Sequence, residues 1–140
     1  MQQEETDITR FLKAQDSSWN GYSVALSEIK VGRKTGHWIW YIFPQLRGLG
    51  YSHMSQYYGI ADRHEAEAYL QHPVLGARLR EITEALLEHT DKSAHAVLGG
   101  VDALKVQSCM TLFDCISPDD IFERVLTQFY EDYRDKKSIL

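Results

Sequence analysis

The segment from Gly32 to Ser55 imposes the strongest restriction on how this chain folds. Its centre, Trp38–Phe43, is the densest apolar and aromatic run in the sequence, and such a run is expected in the core. Pro44 follows directly and disfavours helical angles in the residue before it, so any helix here ends near Ile42. Glycine-bearing basic loops flank the run on both sides. We therefore expect a short buried element between two turns.

Two secondary structures are compatible with His37–Phe43. Its aromatic and β-branched residues suit a strand. However, no other segment offers a partner strand, and the flanking segments have helical periodicity. We favour a short buried helix with Gly36 near its N-terminus, where unpaired backbone N–H groups would favour an anion.

Apolar residues recur at three- and four-residue spacings through the rest of the chain. The clearest case is the helix that contains Leu75, Leu79, Ile82 and Leu86. Other helices are predicted over residues 8–15, 22–31, 62–70, 93–98, 102–113 and 118–130. The prediction is an all-α, compact, single-domain multi-helical fold of about six to seven helices. It spans residues 1–140, with residues 1–6 and 135–140 frayed.

Capping residues mark several of the predicted helix ends. Asp7 is expected to cap the first helix, and Gly32 to end the second. Asp62 begins a capping box, and Pro73 suits the first position of the next helix. Ser117 is the expected cap of the last helix, ahead of a proline.

Composition excludes several classes of protein. A net charge of −5 gives no general electrostatic drive towards nucleic acid or anionic membrane, so non-specific nucleic-acid binding is not expected. No apolar run approaches the roughly 20 residues of a membrane helix. The acidic N-terminus does not resemble a secretory signal. Cys109 and Cys115 are expected to be free thiols, and we expect a cytoplasmic protein.

The two flanking loops are candidates for binding a small phosphorylated ligand. Glycine lets backbone N–H groups approach a ligand closely, and neighbouring cations favour an anion. The residues expected to bind in this way are Arg33, Gly36, Arg47, Gly48, Gly50 and Ser52. Neither loop matches a P-loop or a dinucleotide fingerprint.

Side chains between and beyond the loops supply candidate stacking and catalytic groups. Trp38 or Trp40 could stack on a planar ring, although such residues are more often simply core. His37 and Gln45 are candidate catalytic residues that would move a proton or orient a ligand, and Asp102 is a third. The alternative is that each of these polar side chains only satisfies a local hydrogen bond.

A polar strip is predicted on the helix that begins near Asp102. Asp102, Lys105, Ser108 and Thr111 follow one another at three-residue steps, beside an apolar stripe. A solvated face explains such a strip, but Ser108 and Thr111 are short and lie between apolar neighbours. The strip is therefore also expected to line a pocket that faces the Gly32–Ser55 segment.

The sequence predicts no metal site and identifies no cofactor. Its six histidines include no H-x-x-x-H pair, and the cysteines lack the spacing of metal ligands.

Three motifs together resemble a known family: W-x-W-Y-I-F-P-Q at 38–45, H-P-V-L-G-x-R-L at 72–79 and K-V-Q-S-C-M-T-L-F at 105–113. The chain is similar along nearly its whole length to a widespread bacterial and fungal family of unknown function, which is sometimes mislabelled calpastatin. The resemblance implies a small all-α fold. There is also a looser likeness to the helical NADAR group, which is linked to ADP-ribose chemistry.

Two functions remain open from the sequence. In the first, an enzyme handles a nucleotide-like or ADP-ribosyl ligand in a cleft built from Gly32–Ser55. In the second, a non-enzymatic module uses the same aromatic patch to bind a peptide or a protein. Convergence of His37, Gln45 and Lys105 into one concave pocket would favour the first, and dispersal over a flat face the second.

Overall fold

The computed structural model describes residues 7–140, and the all-α fold is confirmed. Nine α-helices lie in this range: α1 Thr9–Gln15, α2 Tyr22–Val31, α3 Ile39–Ile42, α4 His53–Tyr57, α5 Arg63–Gln71, α6 Leu75–Leu87, α7 Ala94–Leu98, α8 Gly100–Ile116 and α9 Ile121–Tyr130. A 3₁₀ helix, Lys136–Ser138, follows them. The number exceeds the expected six to seven, and the helix that was not predicted is α4, which has only five residues. Residues 1–6, expected to be frayed, lie outside the described range.

Helix α8 is the central element of the fold. It packs against α5, α7, α9 and the 3₁₀ helix, while α6 bridges α2, α5 and α9. Nearly every side chain from Val106 to Phe113 is buried, so this stretch of α8 is surrounded by other helices. Aromatic rings continue the core from α1 to α9 in a connected series: Phe11 meets Tyr69 edge to face, Tyr69 meets Phe113, and Phe113 meets Phe122.

Several predicted helix ends are confirmed. Gly32 ends α2 with φ of 94°, a left-handed conformation that glycine adopts without a steric penalty. Asp62 caps α5 by accepting the Glu65 N–H at 2.9 Å. The Phe43 backbone leaves the helical region before Pro44, with φ of −120° and ψ of 74°.

Other predicted ends were wrong by a few residues. Asp7 accepts a hydrogen bond from the Thr9 hydroxyl instead of capping α1. Helix α6 begins after Pro73, and the ring nitrogen Nδ1 of His72 accepts the N–H groups of the two residues that follow the proline. Asp120 rather than Ser117 is the cap of α9, and the Ser117 hydroxyl donates to the Asp120 carboxylate.

The C-terminal segment is the main correction to the predicted fold. Residues 135–140 were expected to be frayed, but Lys136–Ser138 forms a turn against α8 and Ser138 is fully buried. Arg134 binds Asp114 of α8 at 3.0 Å, and the backbone N–H of Asp135 donates to Thr111 at 3.1 Å. These polar contacts hold a segment that has few apolar residues of its own.

Both cysteines are free thiols, as expected. Burial raises the pKa of the Cys109 thiol well above its usual value, which keeps it protonated and unreactive. Among residues 7–140, no helix is both long and apolar enough to cross a bilayer.

A buried ion pair fixes α1 against α5. The Arg10 guanidinium donates to both carboxylate oxygens of Glu65 at 3.0 and 3.1 Å, and both side chains are only 5% exposed. Arg10 also donates to the carbonyls of Tyr57 and Gly59, and Glu65 accepts the N–H of Ala61. The pair therefore also holds the chain that leads from α4 to α5.

We expect Glu65→Gln to lower the free energy of unfolding by about 3 to 5 kcal/mol, because it leaves the Arg10 charge buried without a counter-charge. The matched control is Glu67→Gln, which removes the carboxylate from the surface pair of Arg63 and Glu67 and should cost about 0.3 to 0.5 kcal/mol. Urea titration of both variants measures the difference. Equal losses would contradict the role given to the buried pair.

Candidate functional site

The loop before α3 binds a carboxylate of the protein itself. Glu28 accepts hydrogen bonds from the N–H groups of Thr35 and Gly36, each at 2.8 Å, and from the indole N–H of Trp38 at 3.0 Å. The N–H of His37 donates to the side chain of Asn20. The N–H groups of Gly36 and His37, which the sequence predicted would favour a ligand anion, therefore already have acceptors.

Four of the predicted site residues, all in or next to this loop, do not have the positions expected for a ligand site. Gly36 is not at a helix N-terminus, because α3 begins three residues later, at Ile39. Trp38 is fully buried, so it offers no surface to a ligand. His37 and Arg33 are exposed, and neither lines the groove described next.

The loop after α3 does line an open groove, of about 540 Å³, together with α8 and the C-terminal segment. Six candidate residues from the sequence meet there: Trp40, Gln45, Gly50, Ser52, Lys105 and Ser108. Helix α8 presents Val101, Leu104, Lys105 and Ser108 to this groove. Their spacing of i, i+3, i+4 and i+7 places them on one helix face.

Backbone pairing holds the loop in position. The Ile60 N–H donates to the Gln45 carbonyl and the Arg47 N–H donates to the Ile60 carbonyl, each at 2.7 Å. Gly48 turns the chain with φ of 102°, which other residues rarely adopt. The Arg47 side chain is exposed and its guanidinium donates to the Gly59 carbonyl, so Arg47 and Gly48 shape the loop without lining the groove.

Three charged side chains form a cluster, of which one member, Lys105, lines the groove. Asp102 binds the Lys34 ammonium at 2.6 Å and the Lys105 ammonium at 3.3 Å. The Lys34 ammonium lies 4.8 Å from the ring centroid of Trp38, and that of Lys105 lies 4.8 Å from that of Trp40. Lys34 is the buried member, at 8% exposure, whereas Lys105 is 27% exposed. Two ammonium groups share one carboxylate, so a positive charge faces the groove.

A small recess continues the groove between α3 and α8. It has a volume of about 10 Å³, roughly that of one water-sized group. Trp40, Gln45, Tyr58 and Lys105 are among its lining residues. Burial raises the pKa of Tyr58, so its hydroxyl stays protonated and can donate a hydrogen bond.

The C-terminal segment contributes Asp135 and Lys137 to the groove, and sequence reasoning missed both. A local signal for an ordered turn was present in the sequence, because Asp135 is a residue type that caps helices, and it caps the 3₁₀ turn by accepting the Lys137 N–H. Thr111, a predicted ligand-binding residue, lies beneath this segment, where its hydroxyl donates to the Gln107 carbonyl and accepts the N–H of Asp135. Leu49, Tyr51 and Ser55 complete the loop side of the groove.

Comparisons with known proteins identify the family. A family model described as a protein of unknown function, DUF1810, matches residues 5–139. This chain belongs to the DUF1810 family. The DUF1810 chain is similar in structure to the conserved hypothetical protein Rv1873 from Mycobacterium tuberculosis, with a TM-score of 0.90 and 40% identity over 94% of this chain and 93% of that one.

The comparisons give the DUF1810 chain a family and a fold but no activity. None of the curated proteins searched matches it. The findings do not concern calpastatin or the NADAR group, so those two likenesses remain predictions from the sequence. Within residues 7–140, no three histidine, cysteine, aspartate or glutamate side chains come together as metal ligands.

The Glu28 carboxylate gives a test of the first loop. Burial alone would raise the pKa of Glu28, but the hydrogen bonds from Gly36, Thr35 and Trp38 outweigh it and lower the pKa. Because the folded-state pKa is depressed, Glu28 stabilises the fold above its ordinary pKa of 4.5, and this contribution disappears as pH falls below that value.

We expect Glu28→Gln to lower the free energy of unfolding by about 1 to 2 kcal/mol at pH 7, since hydrogen bonds to a charged carboxylate are replaced by weaker ones to a neutral amide. The difference in unfolding free energy between wild type and variant should narrow below pH 4.5, the ordinary pKa of this carboxyl group. Denaturant titrations of both proteins at several pH values measure this difference. The contributions of all other carboxylates are the same in both proteins and therefore cancel. A difference independent of pH would contradict the assignment.

Proposed function

We propose that the groove of the DUF1810 protein binds a nucleotide-like or ADP-ribosyl ligand, as in an enzyme that handles such a compound. The observation that carries the proposal is that Gln45 and Lys105, two of the three residues whose convergence would favour it, line one groove with Trp40, whereas His37 does not. Its volume of about 540 Å³ lies within the usual range for small-molecule sites. A flat surface without a cleft would have argued against a small ligand.

Each of these side chains matches one part of such a ligand. The Lys105 ammonium is accessible, and Asp102 and the Trp40 ring hold it in place, so it supplies a fixed positive charge for a phosphate. The half-buried Trp40 ring offers an apolar face for a planar base. Gln45 has no side-chain hydrogen bond within residues 7–140, so its amide is free to bind a polar ligand edge.

A candidate catalytic arrangement follows from the same geometry. Lys105 would stabilise negative charge that develops on a ligand phosphate, and Asp102 would position Lys105 without touching the ligand. Gln45 and the protonated Tyr58 hydroxyl would orient a ligand group or a nucleophile in the recess. His37 has no part in this arrangement because it does not line the groove.

Thermal unfolding with AMP and ADP-ribose tests this proposal. A ligand at about 100 times its Kd should add about 2.7 kcal/mol of stability and raise Tm accordingly. Lys105→Met should weaken binding about tenfold or more, because it removes a charged contact worth about 1.5 to 3 kcal/mol. The control Lys13→Met removes an exposed lysine of α1 and should bind like wild type. If neither compound raises Tm at millimolar concentration, the proposal fails.

A second candidate, a peptide- or protein-binding module, is favoured by the apolar rim of the same groove. Tyr51, Val101 and Leu104 line the groove and are 91%, 70% and 64% exposed. Large apolar side chains on the surface can anchor a partner when they lie together. Trp38, by contrast, is buried and is no longer a candidate hot spot.

Replacing one rim residue distinguishes this second candidate. When this protein is immobilised on an affinity column, Leu104→Asp should abolish retention of a protein partner, since the change places a charge within the apolar rim. Val31→Asp, at an exposed site on α2, is the matched control and should retain the partner. Mass spectrometry of the retained proteins gives the readout. Identical sets of proteins from both variants and wild type would count against a binding module at this rim.

A further inference from the structure

The segment after α9 brings a carboxylate to the groove. Glu131 and Asp132 have positive φ angles of 54° and 66°, and they turn the chain back along α8. The Asp135 N–H then donates to the Thr111 hydroxyl, and Asp135 and Lys137 join the groove wall. The position of Asp135 is therefore fixed by α8, the helix that also carries Lys105.

The two carboxylate oxygens of Asp135 are used unequally. Oδ2 accepts hydrogen bonds from the hydroxyls of Ser108 at 2.8 Å and Ser138 at 2.6 Å. Oδ1 accepts only the Lys137 N–H, at 3.4 Å, within residues 7–140. An ionised carboxylate has about four lone-pair positions, so Oδ1 retains capacity for another donor.

The environment keeps this carboxylate ionised. Burial alone would raise the pKa of Asp135, but the hydrogen bonds from Ser138 and Ser108 lower it overall. At neutral pH the Asp135 side chain is therefore a hydrogen-bond acceptor and not a donor. The group that it can bind on a ligand must be a hydrogen-bond donor.

The neighbouring cations restrict what that donor can be. Lys105 and Lys137 line the same groove as Asp135, so a ligand ammonium or guanidinium would meet like charges. A neutral hydroxyl meets no such repulsion. The same two lysines favour an anionic group elsewhere on the ligand.

We propose that Asp135 is a specificity-determining residue that selects a ligand with free hydroxyls close to a phosphate. A ribose 5′-phosphate unit has this chemistry: its 2′- or 3′-hydroxyl donates to Asp135 while its phosphate binds Lys105 or Lys137. This inference rests on the proposed function and specifies the sugar part of the ligand. It predicts that a nucleotide without these hydroxyls binds more weakly.

Isothermal titration of the full chain with AMP and with 2′,3′-dideoxy-AMP tests the inference. Wild type should bind AMP about tenfold more tightly, as expected for one hydrogen bond to a charged group. Asp135→Asn should weaken AMP binding about tenfold and leave dideoxy-AMP binding unchanged, so that the preference disappears. Asp91→Asn, at an exposed position that does not line the groove, is the control and should keep the preference.

The outcomes separate the inference from the proposed function. If wild type binds both nucleotides equally, the role of Asp135 is overturned and nucleotide binding stands. If Asp135→Asn weakens both ligands equally, Asp135 acts on the shape of the groove and the inference is also overturned. If neither nucleotide binds, both proposals fail. If the variant does not fold, the wild-type comparison alone can still overturn the inference.

Discussion

Burial of α8 on most of its circumference is the constraint on which the rest of the structure depends. Val106, Met110 and Phe113 are fully buried and fix the rotation of the helix. Once that rotation is fixed, Lys105 and Ser108 must face away from this apolar face and towards the loop after α3. The groove is thus a consequence of core packing, and the same packing fixes the positions of its polar side chains.

The two glycine-bearing loops differ because one of them meets an internal carboxylate. Glu28 lies on α2, within reach of the backbone N–H groups of Thr35 and Gly36. An intramolecular carboxylate fixed beside these donors needs no separate association step, so it competes strongly with a ligand anion. Within residues 7–140, no carboxylate accepts a hydrogen bond from residues 46–55 of the loop after α3, and several of these residues line the groove instead.

Asp102 connects the two regions. It pairs with buried Lys34, from the first loop, and with partly exposed Lys105, from the groove wall. The desolvation cost of burying Lys34 is offset by this carboxylate and by the Gly36 carbonyl, which accepts from the same ammonium. A change in the first loop therefore bears on the position of Lys105 through the Asp102 carboxylate that the two lysines share.

Most helices could be predicted because their signals are local. Apolar spacing identified α2, α6 and α9, and the Asp62 cap and the Gly32 terminus matched the structure. The residues Trp40, Gln45, Lys105 and Ser108 were likewise identified from local residue chemistry, and the structure brings them together. Helix starts such as those of α6 and α9 were displaced because His72 and Asp120 provide alternative caps nearby.

The remaining features depend on contacts between residues far apart in the chain. The sequence shows glycine next to arginine and lysine, but it does not show that Glu28 reaches the N–H of Gly36 or that α3 starts only at Ile39. Nor does a polar tail indicate that Asp135 docks on Ser108, 27 residues earlier. Residue type and spacing determine helices and candidate chemistry, because those are local properties. Which donors stay free for a ligand was decided by packing, because hydrogen-bond partners are assigned only when distant segments meet.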